Sequence, residues 1–498
     1  RAKSASRSSY DEHCAVTATA SLSHISSAKL WLSAFFILCA LPLGFSVALI
    51  TPPGQSPDEP AQLVRAAGLL HGAIMAVRKP VTDSNTGKLE MLSGVQADTG
   101  LFMAAASPIM TFEGHRVYTA ADAQAWRAAP TNHALTFYNV PNTGPCFPAV
   151  FLPASIGLGL GELFRLPPSL CFLLGRFAML GAYLLLGTAA ILVASFGEAL
   201  LLSVLLMPMT VFLGGTLHQD GVLIAATCLA CAALTRGSPR SRVLGLIVFA
   251  LVLGSKPPYM LLLGAFMLPL AGGALSVRCR QVGLALLPIV VWIVLTLLFV
   301  SVPFDHPPYH PGPLFAGDRS ILFDHSDPGL NLHILLSHPS RFITLPLATL
   351  QQSGVQALRE MIGVLGGLQI VLPDRYYELW GVALAVALYG LWLCPRAPGA
   401  LPGRARVEGA WVLALLFVTI WGIFIAQYLS WSDIGAATIQ GIEGRYFLIL
   451  IPFLLFVIPR RRADLLLPAW VPAIPAVALG IFDIGYIPLK LVYSFYLH

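Results

Sequence analysis

Thr51-Pro-Pro-Gly-Gln-Ser-Pro-Asp-Glu-Pro60 decides how this chain is organised, because it stands where the first apolar run stops. That run, Leu30 to Ile50, is 21 residues without a charge, and about 20 apolar residues suffice to cross a bilayer. Three prolines and Gly54 then break the helix and set a stiff turn at the membrane surface. Asp58 and Glu59 follow, two adjacent carboxylates on a Pro-bounded corner. From Ala61 the pattern becomes helical: Leu63, Val64, Ala67, Leu70 and Ile74 recur at helical spacing, with Gln62, Arg65 and His71 between them. The spacing predicts an amphipathic helix in the interface, apolar side on lipid and polar side on a cavity. The competing reading is a capped surface helix, since acids are favoured in a first turn.

Composition agrees with a membrane setting. Hydrophobic residues make up 56% and charged residues 11% of the chain, with mean hydropathy +0.76; soluble domains carry about 25% charge. The excess of basic residues (+6) calls for no nucleic acid, because most Lys and Arg sit in short connectors between apolar runs, where membrane orientation is set. Of eight cysteines, Cys39, Cys171, Cys228 and Cys231 fall within apolar runs and Cys146 borders one. No disulfide framework is expected, and the Cys228-x-x-Cys231 pair reads as helix packing.

Outward from the opening stretch, residues 1–28 read as a disordered basic tail on the cytoplasmic side. Residues 29–303 form an N-terminal transmembrane module whose first outer loop, 51–145, ends in Phe137-Tyr-Asn-Val-Pro-Asn-Thr-Gly-Pro145. Apolar segments follow at about 146–164, 169–195, 198–217, 220–235, 240–256, 257–277 and 281–303. The basic connectors 236–242, 278–280, 396–406 and 460–462 belong inside. His218-Gln-Asp220 and Lys256-Pro-Pro-Tyr259 then fall outside. This register needs one segment that does not cross, either 146–164 with Pro148 and Pro153 or 198–217 with Pro208. Residues 304–375 make a second outer loop whose later half is amphipathic, and four spans lie in 376–498. The expectation is an all-α integral membrane protein of about eleven transmembrane helices.

Ionisable groups at the outer ends of spans are the candidates for chemistry, because charge placed in a bilayer is costly. The register gathers Asp58, Glu59, Arg65, Asp220, Lys256 and Arg445 near one face. Carboxylates with cations suit an anionic, membrane-borne substrate: phosphate on Arg or Lys, and a hydroxyl activated by a carboxylate. The plain alternative for a single Lys or Arg is snorkelling. Asp305, His306, His310, Asp318, Asp324, His325, Asp327 and His333 could ligate a divalent metal, but their spacing fits no metal motif. No cofactor is expected.

Several of these segments together resemble a known group: Pro57-Asp-Glu59, His218-Gln-Asp-Gly221, Lys256-Pro-Pro-Tyr259, Ile362-Gly-Val-Leu-Gly366, and Tyr428-Leu-Ser-Trp431 through Gly441-Ile-Glu-Gly-Arg-Tyr-Phe447. The chain is similar, over about 30–460, to a bacterial family of uncharacterised multi-spanning membrane proteins placed near the GT-C glycosyltransferases. Two positions depart from its pattern: Glu443 stands where Gln is expected, and no His lies near Gln62. The resemblance implies a GT-C-like architecture in the bacterial inner membrane with an outward-facing site. It implies an inverting enzyme that moves a sugar from a polyprenyl-phosphate donor to a glycan or lipid acceptor. Asp58 is then the base with Glu59 behind it. From their places at the outer face, Arg445, which opens one span there, and Lys256, which closes another, are expected to hold the donor phosphate, with Arg65, Asp220, Tyr259 and Tyr446 as further substrate contacts.

The alternatives are a transporter or flippase for lipid-linked glycans, which needs ionisable residues deep in several spans, and a non-catalytic assembly subunit. Between the two carboxylates, helical phase places Asp58 with Gln62 and Arg65 and leans Glu59 towards Leu63 and Ala67. A capping role for Asp58 would weaken it as a base.

Overall fold

The first helix, Ser27–Ile50, carries Pro42 inside it and buries Phe36, Cys39, Leu43 and Val47. It packs against two other long helices, Pro168–Val193 and Ile474–Val492. A computed structural model describes residues 27–82, 89–105, 110–111, 114–115, 117–271, 274–302, 304–305, 325–326, 328–394, 402–460, 468 and 470–497. Residues 1–26 of the expected 1–28 tail and most of the Asp/His-rich part of the second loop (306–324, 327) lie outside those residues, while Ser27 and Ala28 already belong to the first helix.

At the centre is Gln219–Thr235, buried at every one of its 17 residues. A helix hidden on all sides needs small residues where neighbours come close. Gly221 is such a point: a Cβ there would stand 2.5 Å from the Gly214 nitrogen. Gly214 ends the Pro208–Gly214 helix, which meets Gln219–Thr235 at 116°. The glycines let the chain fold back within four residues and set His218-Gln-Asp220 at the corner.

Among the described residues, six helices are long and apolar enough to cross a membrane, or seven if that bent pair counts as one span. The other apolar segments are shorter or broken, each for a local reason. Met207 is extended (ψ 134) ahead of Pro208, which splits 198–217 into Glu198–Leu206 and Pro208–Gly214. Even so, that segment runs the length of the first helix. Glu198 pairs with Lys29 at one end, and Leu217 N reaches Glu59 beyond the other.

The segment 146–164 behaves differently. Cys146 approaches Ser255 O, next to Lys256. The Leu152–Leu163 helix then lies along Glu59–Leu70, with Ser155 Oγ donating to Ala66 O. The following long helix begins at the same end, since Arg176 in its third turn bonds Ala48 O and Thr51 O. Leu152, Ile156, Leu160 and Leu163 form an exposed stripe at helical spacing. This segment starts and finishes at one end of the bundle.

The described residues are mostly helical, as expected; the first loop adds strands and buries a helix expected to lie on lipid. The first loop holds a three-stranded antiparallel sheet, Val77–Thr82, Leu89–Asp98 and Leu135–Asn139, in that spatial order. Gly94 permits the pairing, because a Cβ there would lie 1.8 Å from Tyr138 O. The sheet packs on Glu59–Leu70, Gly68 facing Val95. That helix is therefore not laid on lipid: Gln62, Leu63, Val64, Arg65, Ala66, Ala67 and Gly68 are all buried. The loop folds back over a face that local periodicity assigns to lipid. The second loop does contain the amphipathic helix, Arg341–Gly363, with Ile343, Leu347, Leu350, Val355 and Leu358 exposed.

Candidate functional site

Four elements bring their ends together on one side of the bundle. Asp58 precedes Glu59–Leu70, Asp220 opens Gln219–Thr235, Lys256 follows Pro239–Ser255, and Arg445 opens Arg445–Leu448. Arg445 is the hub. Its Nη2 donates to Asp58 Oδ2 at 2.8 Å, and Nη1 lies 2.7 Å from His218 Nε2. Its Nε is paired with Glu443 and stands 3.7 Å from Asp220 Oδ2. Lys256 Nζ sits 3.2 Å from Asp220 Oδ1 and 4.7 Å from the Tyr446 ring centre. The Tyr259 hydroxyl donates to the Tyr446 backbone carbonyl at 2.7 Å and ties that stretch of chain to the cluster.

Asp58 is the accessible carboxylate of the group, its side chain 38% exposed against 2% for Asp220. Its backbone is left-handed (φ 54) and its side chain makes no cap to the helix it precedes. A non-glycine residue in that region costs about 1–3 kcal/mol and is held only by its surroundings. Here the surroundings are Arg445 on Oδ2 and Asn142 Nδ2, 3.2 Å from Oδ1. The capping role that would weaken the base is absent. Burial alone would raise the Asp58 pKa, but the charges of Arg445 and Lys256 and the His218 ring bring it below the ordinary 3.8.

Glu443 is pushed the other way, up to about 7, by burial and by Asp58 and Glu360, against the pull of Arg445. The motif that carries it is rigidly seated. Gly444 N donates to Glu360 Oε2 at 2.8 Å, and a Cβ on Gly444 would lie 1.9 Å from Ala357 O. Asn331, fully buried, ties Tyr428 O, Ser432 O and Gly435 N into the same turn.

Donors outnumber acceptors at His218. The Asp220 amide is 3.0 Å from Nδ1 while Arg445 approaches Nε2, yet a neutral imidazole accepts at only one nitrogen. Beside it, Gln219 Oε1 and Ser255 Oγ are buried without hydrogen-bond partners. Buried polar groups in native proteins are nearly always satisfied, and these two atoms have hydrogen-bonding capacity left for water or a polar group beside the cluster.

Two of the sequence candidates stand elsewhere. Glu59 is wholly buried and accepts from Arg176 Nε (2.9 Å), Arg176 Nη2 (2.7 Å), Gly54 N (3.0 Å) and Leu217 N (3.1 Å). All its capacity goes to holding the 51–59 turn against the bundle. Arg65 donates to Ala73 O and Ile74 O and closes the turn after its own helix. Sequence reasoning passed over Asn142, Glu360 and Glu443 as site members, and over His218 as a contact of Arg445. Each lies in or beside a quoted motif, which was the available signal.

Residues 41–454 match the family described as Predicted membrane protein (DUF2142). The chain belongs to this family. No curated protein and no solved structure matches it. The DUF2142 match takes in every residue of the cluster, from Asp58 to Tyr446. Among the described residues no group of three or more His, Cys, Asp or Glu side chains is placed to hold a metal. Most of the sequence candidates for that role fall outside them; Asp305 and His325 are paired across a short two-stranded ladder.

Proposed function

We propose that this DUF2142 protein is an inverting membrane glycosyltransferase that takes a sugar from a polyprenyl-phosphate donor and passes it to a glycan or lipid acceptor. The observation that carries this is Asp58: an accessible carboxylate, uncapped, in a strained backbone, and aimed by Arg445 and Asn142. It accepts the acceptor hydroxyl's proton as that oxygen attacks C1, and the phosphate leaves with the bonding pair. A low pKa makes Asp58 a modest base but keeps it ionised, which suits proton removal late in a displacement driven by a good leaving group.

The cations divide their work. Arg445 is 2% exposed and closed in by Asp58, Glu443, Asp220 and His218. It positions Asp58. Lys256, with a fifth of its side chain exposed, is the cation a donor phosphate can reach, and Gln219 and Ser255 offer unused polar atoms beside it. The finer architecture belongs to this reading: eleven crossings in a GT-C-like arrangement, in a bacterial inner membrane with the cluster facing outward. It is supported by the way the connectors 236–242 and 278–280 lie together, Arg242 Nε bonding Gln281.

The transporter reading draws on one observation. Asp483, inside the Ile474–Val492 helix, is fully buried, accepts from the Tyr376 hydroxyl at 2.6 Å and leaves Oδ2 without a partner. An ionisable residue within a span is a functional candidate.

The test uses the purified protein in sealed proteoliposomes with a panel of radiolabelled polyprenyl-phosphate hexoses and pentoses and a glycolipid extract as the source of acceptor. Release of polyprenyl phosphate by wild type, and its loss in Asp58→Asn, is expected. Equal turnover in Asp58→Asn, or sugar-lipid crossing the membrane without transfer, would discard the enzyme reading.

A further inference from the structure

The helix Arg341–Gly363 is inverted relative to a helix on a water-facing surface. Its inward side carries the polar groups. Thr349 Oγ1 accepts from Ile439 N at 2.8 Å, Gln356 Nε2 donates to Glu360 Oε1, and Glu360 Oε2 accepts from Gly444 N. Its outward side is Ile343, Leu347, Leu350, Val355 and Leu358, all exposed. Positions 343, 347, 350 and 358 recur at helical spacing and form one stripe. The helix contains three charged residues, and the protein engages each of them. Arg341 donates to Gly435 O and Ala436 O, Arg359 pairs with Asp374, and Glu360 is buried against Gly444. The preceding helix, Pro328–Ser337, repeats the pattern: Asn331 is buried and bonds Tyr428 O and Ser432 O, while Leu332 and Leu336 are exposed.

The depth of the stripe says what covers it. Phe342 O, at the start of the helix, accepts from Trp421 Nε1. Trp421 lies inside the Pro402–Trp431 helix, one of those long and apolar enough to cross a membrane. The end of that span beside Arg445 is marked by Gln427, whose Nε2 donates to Gly441 O. Trp421 stands six positions before Gln427, about 9 Å down the helix at 1.5 Å per residue. Arg341–Gly363 therefore starts below the end of a span, at the depth to which amphipathic helices sink their apolar faces. Leu413, Phe417 and Val418 of the same span are exposed, and Phe417 stacks on Trp421. The stripe thus continues a surface that already faces lipid. Being uncharged, it suits acyl chains and makes no demand on a headgroup.

We propose that Arg341–Gly363 lies in the membrane surface with its Ile/Leu/Val stripe among the acyl chains, and that this seat holds the Arg445 motif in place. The link between the two is short. Glu360 takes the Gly444 amide, and a Cβ on Gly444 would lie 1.9 Å from Ala357 O, so the motif rests directly on the helix. The next residue, Arg445, bonds Asp58. Lifting the helix out of the leaflet withdraws the acceptors of Gly444 N and Ile439 N together. The partner is the acyl layer, whatever the headgroup charge.

The experiment is photolabelling and hydrogen exchange of the full chain in nanodiscs of phosphatidylcholine bearing an acyl-chain diazirine, with or without phosphatidylglycerol. Mass spectrometry of wild type is expected to find label on the stripe, to the same extent in both lipids. Label on Leu413–Val418 of the span but none on the stripe would overturn the seat, as would stripe label that requires the anionic lipid. A stripe labelled in discs holding one copy and shielded in discs holding two would assign the face to a second copy instead. Leu347→Glu combined with Leu350→Glu should speed exchange of the 441–447 backbone at least about tenfold, since one acidic residue placed in hydrocarbon already costs more than a factor of ten. Leu350→Asn gives the same reading if the double variant does not fold. Gln352→Glu, exposed but off the stripe, should leave that exchange unchanged. Glu360→Ala should speed it while stripe label stays at the wild-type level, which separates the link from the seat. Unchanged exchange in the stripe variants, or equal acceleration in Gln352→Glu, would overturn the link. These readouts involve no sugar transfer, so they stand or fall apart from the function proposed above.

Discussion

Replacing Glu59 by Gln separates a structural carboxylate from a catalytic one. Glu59 and Arg176 are both within about 1% of full burial and form a bidentate pair, with two backbone amides on the same carboxylate. Arg176 is held in turn by Ala48 O, Thr51 O and Pro52 O. A glutamine side chain at this position can still accept from Gly54 or Leu217. It turns an NH₂ group towards one of the former donors, however, and leaves the guanidinium without a counter-charge. Breaking a buried pair from one side costs about 3–5 kcal/mol, within reach of the whole margin of a typical fold. The loss falls on the 51–59 turn that carries Asp58. The assay is thermal unfolding in a fixed detergent, followed by fluorescence-detected gel filtration, for Glu59→Gln, Arg176→Met and the double variant. Each single variant should drop sharply in midpoint. The double variant should recover part of the loss, because it removes both buried charges together. An unchanged midpoint in Glu59→Gln with transfer abolished would refute this account and return Glu59 to catalysis.

Other expectations follow from the cluster. Asp58→Asn should fold normally and transfer sugar at least about a hundredfold more slowly, the low end for a lost general base; turnover of labelled donor measures it. Arg445→Lys should lower kcat with KM little changed, since a lysine cannot hold Asp58 and His218 together; a rise in KM alone would make Arg445 a phosphate ligand after all. Lys256→Ala should do the reverse, raising KM for the donor more than it lowers kcat. Glu443 titrates upward from 4.5 to about 7 in the fold. Its carboxyl is therefore favoured protonated by folding, so stability should fall as pH rises from about 4.5 to about 7 and then level off. Glu443→Gln should flatten that part of the curve in pH-dependent thermal unfolding; an unchanged curve would place the titration elsewhere.

What the sequence showed depended on how far a residue's position follows from its neighbours. Asp58, Asp220, Lys256 and Arg445 were legible as a group because each stands at the end of an apolar segment, and basic connectors assign those ends to one side. The fates of Glu59 and Arg65 were not legible. Helical phase gives the angle between Glu59 and Asp58 but says nothing of what each faces, and the polar side of Glu59–Leu70 does not open on a cavity as a whole. Arg176, over a hundred residues away, takes Glu59. The sheet formed by Val77–Thr82, Leu89–Asp98 and Leu135–Asn139 covers the helix from outside. Strand pairing of that kind is non-local, and alternation in a loop with charges at Arg78, Lys79 and Glu90 is too weak to announce it. The same distinction applies to the segments weighed as non-crossing. Pro208 and Pro153 are equal as helix breakers when read alone. The three glycines at 157, 159 and 161 break the tie in space: Gly157 and Gly161 meet Leu174 and Cys171 of the next long helix, and Gly159 meets Leu70. A helix pinned on two sides near Asp58 has no length left to reach the other side. Its remaining face, Leu152, Ile156, Leu160 and Leu163, is the lipid-facing stripe that the sequence assigned to Glu59–Leu70.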